Sequence, residues 1–335
     1  MMAMVSFGDL AQSFLLKSQV SRLKSDAGRI TQELASGRHG DVGAALSGDF
    51  AQLSAVSRSH DLAEGYLASA REAAFRTSAM QATLGTISEN ALALVPSLIS
   101  APQSADANAL ALFAAQGKER LNATLSAMNT AVGGRTLFGG TQVGDLAVND
   151  ADTLLAALRV ELVGATTADE AMTRISAWFD APTGYTAQMY RGGAEVGALA
   201  VSPDSRVWLG PTADDPAFRE ALKGFAAAAL ITDSALNFGG TDARNFARLA
   251  GEGLISGQDA LISLAASVGT SEARIEEAIT RNAAEKLTLE MAKADLVQSD
   301  PYRLASELEA VQTNLETVYA VTARLSRLTL TDFIR

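Results

Sequence analysis

Apolar positions recur at alternating steps of four and three near both ends of this chain. The first series runs Leu16, Val20, Leu23, Ala27, Ile30, Leu34, with Ser, Lys, Arg and Gln filling the gaps. That spacing draws one narrow stripe along a helix, the seam of a helix that meets a partner. It predicts a first helix over about 7–35, stopped by Gly37 and Gly40, since glycine adopts the left-handed conformation that closes helices. The second series runs Leu304, Leu308, Val311, Leu315, Val318, Thr322, Leu325. Asp300 suits a helix cap and Pro301 a first turn, where a missing N–H costs nothing. Two thin stripes of similar length predict that the terminal helices pair. Such a pair buries little alone and wants further subunits on its remaining surface. The predicted assembly seam is therefore Leu16, Val20, Leu23, Ile30 and Leu34 against Leu304, Leu308, Val311, Leu315, Val318 and Leu325.

The same rhythm continues inward. Met80, Leu84, Ile87, Ala91 and Leu94 mark a helix that Pro96 and Pro102 are expected to break, with 97–103 as the connection. Leu110, Gly117, Leu121, Leu125, Met128 and Val132 mark the next, antiparallel to it because the link is short. From Gly133-Gly134 to about Gly240 the pattern changes. Gly, Pro, Thr and Asp punctuate short alternating pieces such as 198–201 and 206–209, while 154–160 and 169–179 look helical. This predicts an inserted α+β or mostly β domain. Helix returns over about 242–299, where Leu254, Leu261, Val268, Ile275, Asn282, Leu289 and Leu296 recur every seven residues, with a possible interruption at Gly269-Thr270. Asn282 either sets register within that seam or faces water. The expected fold is mainly α: an elongated helical rod with paired terminal helices and an inserted tip domain. Its parts are 1–40 and 301–335 as the terminal coiled coil, 41–133 and 241–300 as the two halves of the rod, and 134–240 as the tip.

Composition sharpens this picture. Of 335 residues 48% are hydrophobic but only 6% aromatic, which favours alanine-rich packed helices over one bulky core. The net charge of −11 comes from 38 acidic and 27 basic residues. Residues 1–35 carry four basic and three acidic groups and 301–335 four of each, so the acidic excess lies in between. Neutral ends fit surfaces that bury one another, and an acidic middle fits one that faces water. No Lys/Arg cluster offers the phosphate contacts of nucleic-acid binding, so no such partner is expected. The start, Met-Met-Ala-Met-Val-Ser-Phe, lacks the basic leader and apolar run of a cleaved secretory signal. No unbroken apolar run reaches 18 residues, and no membrane insertion is expected.

Chemistry is hard to find. With no cysteine, disulfides, thiolate catalysis and cysteine-bound zinc are excluded. His39 and His60 stand far apart with no metal-ligand spacing around them, and HExxH is absent. Gly134 to Gly139 has the glycine spacing of a phosphate loop, but Gly140 stands where lysine is required and a helix precedes it in place of a strand. The carboxylate pairs Glu276/Glu277 and Glu307/Glu309 are helix neighbours and do not face each other across a cleft. No enzyme, cofactor or metal is expected.

Four stretches resemble the flagellin superfamily, and within it the branch of hook–filament junction proteins, hook-associated protein 3. Leu34, Ser36, Gly37 and Arg38 match the end of the family's first helix. Asn129, Gly134, Arg135, Leu137, Phe138 and Gly140 match its entry into the outer domain, with Thr136 in place of the usual aromatic. Residues 287–300 resemble the return helix. The ending Ala323-Arg-Leu-Ser-Arg-Leu-Thr-Leu-Thr-Asp-Phe-Ile334, with Leu328, Leu330, Asp332 and Phe333, is similar to that of the junction branch and unlike that of filament flagellins. The sequence after Arg38 departs from the family, which usually carries an Asp-Asp-Pro stretch there. The resemblance implies a structural, self-associating subunit of the extracellular flagellum, exported without a cleaved signal and required for filament attachment and motility. It implies the first hook-associated protein and flagellin as neighbours, and an export chaperone at the C-terminal helix. It also implies ends that order only in the assembly. A filament flagellin and a secreted coiled-coil adhesin or effector stand as alternatives.

Overall fold

The computed structural model describes residues 7–142, 144 and 146–333, without the side chains of 7–10, 104 and 325–333. Ten helices and four short strands follow in the order α1 (Phe7–Ser36), α2 (Val42–Ala45), α3 (Ala51–Ser104), α4 (Ala107–Met128), β1 (Ala131–Val132), β2 (Arg135–Thr136), α5 (Ala151–Leu162), α6 (Ala168–Asp180), α7 (Tyr185–Gln188), β3 (Leu199–Ser202), β4 (Ser205–Val207), α8 (Pro216–Ala229), α9 (Gly240–Val297) and α10 (Pro301–Phe333) among the described residues. The mainly α expectation holds. The chain divides into two compact units, one made of its two ends up to Leu62 and from Ala284 onward, the other of Ala63–Ala283. Both divisions fall inside long helices, away from the loops.

In the unit of the chain ends, α1 lies along α10. Leu304 and Val318 are buried and Leu308, Val311 and Leu315 half-buried, facing buried Ile30 and half-buried Leu16, Val20 and Leu23. Thr322 is exposed.

In the other unit α3 and α9 run antiparallel. Gln81 Nε2 donates to the Ala265 carbonyl at 2.7 Å, and Gly251 lies against Leu98 and Ile99. Neither proline breaks α3, contrary to the sequence expectation. The reason is the seam: Ile87, Ala91, Leu94, Leu98, Ala101 and Ala105 keep the four–three rhythm through both prolines, and all six are buried. Their packing outweighs the backbone hydrogen bond each proline removes. The real turn is two residues, Ala105-Asp106, with Asp106 accepting from the Ala109 N–H at 2.8 Å as the cap of α4. α4 returns antiparallel, and Arg120 bonds Asn90 at 3.1 Å across the pair. α9 is also unbroken, Gly269-Thr270 included. By length and composition alone α3 is apolar enough for a membrane span, but its apolar seam belongs to this core.

The insert is helical with two small ribbons, so the mostly β option is set aside. Its centre is α8, Pro216–Ala229, capped by Asp215 and buried along nearly its whole length. It packs on α4 on one side and α9 on another. That approach requires Gly257 of α9, where an added Cβ would stand 2.5 Å from Ala221 Cα. Phe138 and Phe218 meet edge to face at 5.0 Å, and Tyr185 donates to the Ala213 carbonyl at 2.9 Å in full burial. Asn282 faces neither water nor a helix seam: it is buried, and its Nδ2 donates to the Val201 carbonyl of β3 at 2.8 Å.

Candidate assembly surface

The residues after α1 stitch its end to the start of α10. Gly37 takes a φ of +68° and its N–H closes on the Glu33 carbonyl at 2.8 Å. The chain then runs antiparallel to the α9–α10 link. His39 N–H donates to the Val297 carbonyl at 2.9 Å and Ser299 N–H to the Gly37 carbonyl at 3.1 Å, with Arg38 opposite Gln298. Ser36 lies just before this clamp, and its hydroxyl accepts from the Arg38 N–H at 3.3 Å.

A buried carboxylate sits beneath it. Glu33 is 3% exposed, while Leu34, counted in the seam by its spacing, is 39% exposed. After Ile30 the buried line steps by three where the sequence pattern steps by four. Glu33 can take that place because its charge is matched. Arg29 donates to Oε1 at 2.8 Å, and His39 Nδ1 lies 3.7 Å from Oε2. Burial opposes ionisation, but the Arg29 hydrogen bond, the Gly40 N–H and the charges of Arg29 and His39 outweigh it and hold the carboxyl below its ordinary value.

The helix pair leaves apolar surface uncovered. Phe14 is 73% and Tyr302 85% exposed; Leu15 and Tyr319 are exposed as well, with Lys24 Nζ 6.0 Å from the Tyr319 ring centre. Of the remaining stripe and motif positions, Leu325, Leu328, Leu330, Asp332 and Phe333 have side chains outside the described residues, as does Ile334 altogether.

The glycine-rich stretch makes a hairpin. Gly133 and Gly134, both at positive φ, form the two-residue turn between β1 and β2, a backbone shape that suits glycine at both places. Leu137 and Phe138 are fully buried, Gly140 has a φ of +60°, and Arg135 is exposed. The matched positions therefore divide between core and surface. Asn129 belongs with them: it holds the Val148 backbone from both sides, at 2.9 Å each way.

Both histidines have acidic neighbours, and the carboxylate of Asp61, next to His60 in sequence, turns towards its ring although adjacent helical residues do not ordinarily face each other. His39 faces Glu33, and His60 lies 3.3 Å from both Asp61 and Glu290. Among the described residues no group of three His, Cys, Asp or Glu could hold a metal. Sequence reasoning missed Glu33 as a structural residue. Its signal was present as Arg29 four places before it and Ile30 three places before it.

These features define a mainly helical protein whose paired end helices leave apolar surface for a neighbour. Residues 258–334 match the family model of the bacterial flagellin C-terminal helical region, from Gln258 within α9 through the whole of α10. The match covers 77 of the 335 residues, and with the mainly α architecture and its central insert it supports a flagellin-superfamily fold. No curated protein matches the chain.

Proposed function

We propose that this chain is the junction subunit that joins the hook side of the flagellum to its flagellin filament. The observation that carries the finer reading is the ending 323–334, which resembles the junction branch and not filament flagellins. The paired end helices support the coarser part, since their exposed Phe14, Leu15 and Tyr302 are surface for a neighbour to cover. In this reading Leu16, Val20, Leu23, Ile30 and Leu34, with Leu304, Leu308, Val311, Leu315, Val318 and Leu325, are the assembly seam. The first hook-associated protein and flagellin are the neighbours, and an export chaperone holds the C-terminal helix before secretion. A deletion strain tests it: hooks should remain while flagellin is lost to the medium. Filament flagellin is the second reading, because the matched family region is flagellin's own. Antibody against this chain that coats whole filaments would favour it.

A further inference from the structure

The unit Ala63–Ala283 carries opposite charge on two sides of one helix. A cleft of about 360 Å³ is lined by Ser69, Glu72 and Arg76 of α3, Arg135 of the β1–β2 hairpin, Thr141, and apolar Leu199 and Leu209. Arg76 is half-buried there and forms no ion pair among the described residues; neither does Arg135. Burial first, and then the nearby charge of Arg135, weaken the Arg76 guanidinium's hold on its proton, while Glu72 only partly offsets them. Two guanidinium groups share the cleft with one carboxylate, Glu72, that forms no ion pair with either, so the cleft keeps an excess of positive charge.

The complementary group is on the same molecule. Ala74 and Ser78 of α3 line a shallow hollow with Glu272, Ala273 and Glu276 of α9. Glu272 and Glu276 also lack an ion pair among the described residues, whereas nearby Glu277 is held by Arg281. Positions 74 and 78 stand two residues beyond 72 and 76. A helix turns about 100° per residue, so the two sets point roughly 200° apart around α3. The cleft and the carboxylate hollow therefore open on different sides of α3, one basic and one acidic.

We propose that the Arg76/Arg135 cleft of one copy receives the Glu272/Glu276 face of the next, making a heterologous contact that repeats from copy to copy. The inference rests on the self-association reading above and names the surfaces that would carry it. A contact between unlike faces does not close on a dimer, so it suits a ring or tube. Arginine and carboxylate favour paired, two-pronged bonds, which would fix register as well as attract.

Charge exchange tests it. In Arg76→Glu/Arg135→Glu both contacting faces are acidic, and in Glu272→Arg/Glu276→Arg both are basic. Each variant alone should need a protein concentration roughly tenfold or more higher to sediment under low-salt crowding, the scale of one lost charge-assisted contact. An equimolar mixture should sediment like wild type, because every second contact is native and the others are reversed pairs. The single variants Arg135→Glu and Glu276→Arg, at exposed positions, repeat the test with little risk to folding, and thermal melting checks that each is folded. The absence of cysteine adds a direct readout: Arg135→Cys mixed with Glu276→Cys should form a mixed disulfide, and neither alone should cross-link as well. If folded variants assemble like wild type, or if the mixture stays soluble, this contact is refuted while self-association stands. If wild type itself remains monomeric, both fall. Inorganic phosphate that binds the wild-type protein without association, and loses that binding in Arg135→Glu, would make the cleft an anion site and overturn the contact.

Discussion

Glu33 and Asn282 are polar residues on apolar stripes, and each is kept by a specific partner. For Glu33 the partners favour the charged form, so its folded-state pKa lies below the ordinary carboxylate value of about 4.3. A depressed carboxylate contributes stability that is in place above that ordinary value and is lost as pH falls through the folded one. Glu33→Gln should remove that part of the acid sensitivity. Protection factors of the amides at 36–40, which divide out the intrinsic pH dependence of exchange, should fall in the wild type below about pH 4 and stay low and flat in the variant. Equal pH dependence in both would dismiss the clamp's carboxylate. For Asn282 the loss is simpler. Asn282→Leu strands the Val201 carbonyl in a buried site and should cost about 1–3 kcal/mol in denaturant unfolding, with the β3–β4 ribbon losing exchange protection first.

At the scale of elements, helix identity was legible and helix endings were not. The four–three rhythm located α1, the α3 seam, α4 and α10, because burial of a stripe repeats with the helix turn. The breaks were misjudged because proline and glycine are read locally, whereas Leu94, Leu98 and Ala101 hold α3 together through packing with distant residues. Over 221–231, within and just past α8, the sequence offers only an alanine-rich run that suits a buried helix segment, since a helix buried all round shows no contrasting polar face. The clamp was invisible for another reason: it is made of backbone groups, which leave little trace in side-chain pattern. The proline account has its own test. Pro96 is exposed, so Pro96→Ala restores a backbone donor without disturbing the seam. It should stabilise Ala63–Ala283 by roughly 1–3 kcal/mol, read as a higher melting temperature. No change or a fall would mean that the proline suits a local bend.

For the whole molecule, the terminal helices and the insert-bearing unit should respond separately to damage. Leu315 is half-buried in the α1–α10 pair. Leu315→Asp places a charge in an apolar contact, at a cost of several kcal/mol once assembled. The melting of Ala63–Ala283 should stay nearly unchanged while filament attachment is lost. Purified variant added from outside to cells lacking the protein separates assembly from export. Restored filament growth by that added variant would show that the seam is not an assembly contact.

The stitch between Gly37–His39 and Val297–Ser299 has one more consequence. It ties α1 to α10 where the chain leaves the first helix and enters the last. From there each helix extends 30 or more residues, about 45 Å at 1.5 Å per residue. A pair tied at its base closes like a zipper from the tied end, each turn shortening the search for the next. It also opens in reverse, outermost turns first. The alignment of the two stripes is then inherited from the stitch, so one residue inserted into the last turn of α1, before Ser36, would rotate the rest of α1 by about 100° relative to its mate. A neighbouring subunit arriving at the far turns would meet the part of the pair that costs least to part and re-form around something new.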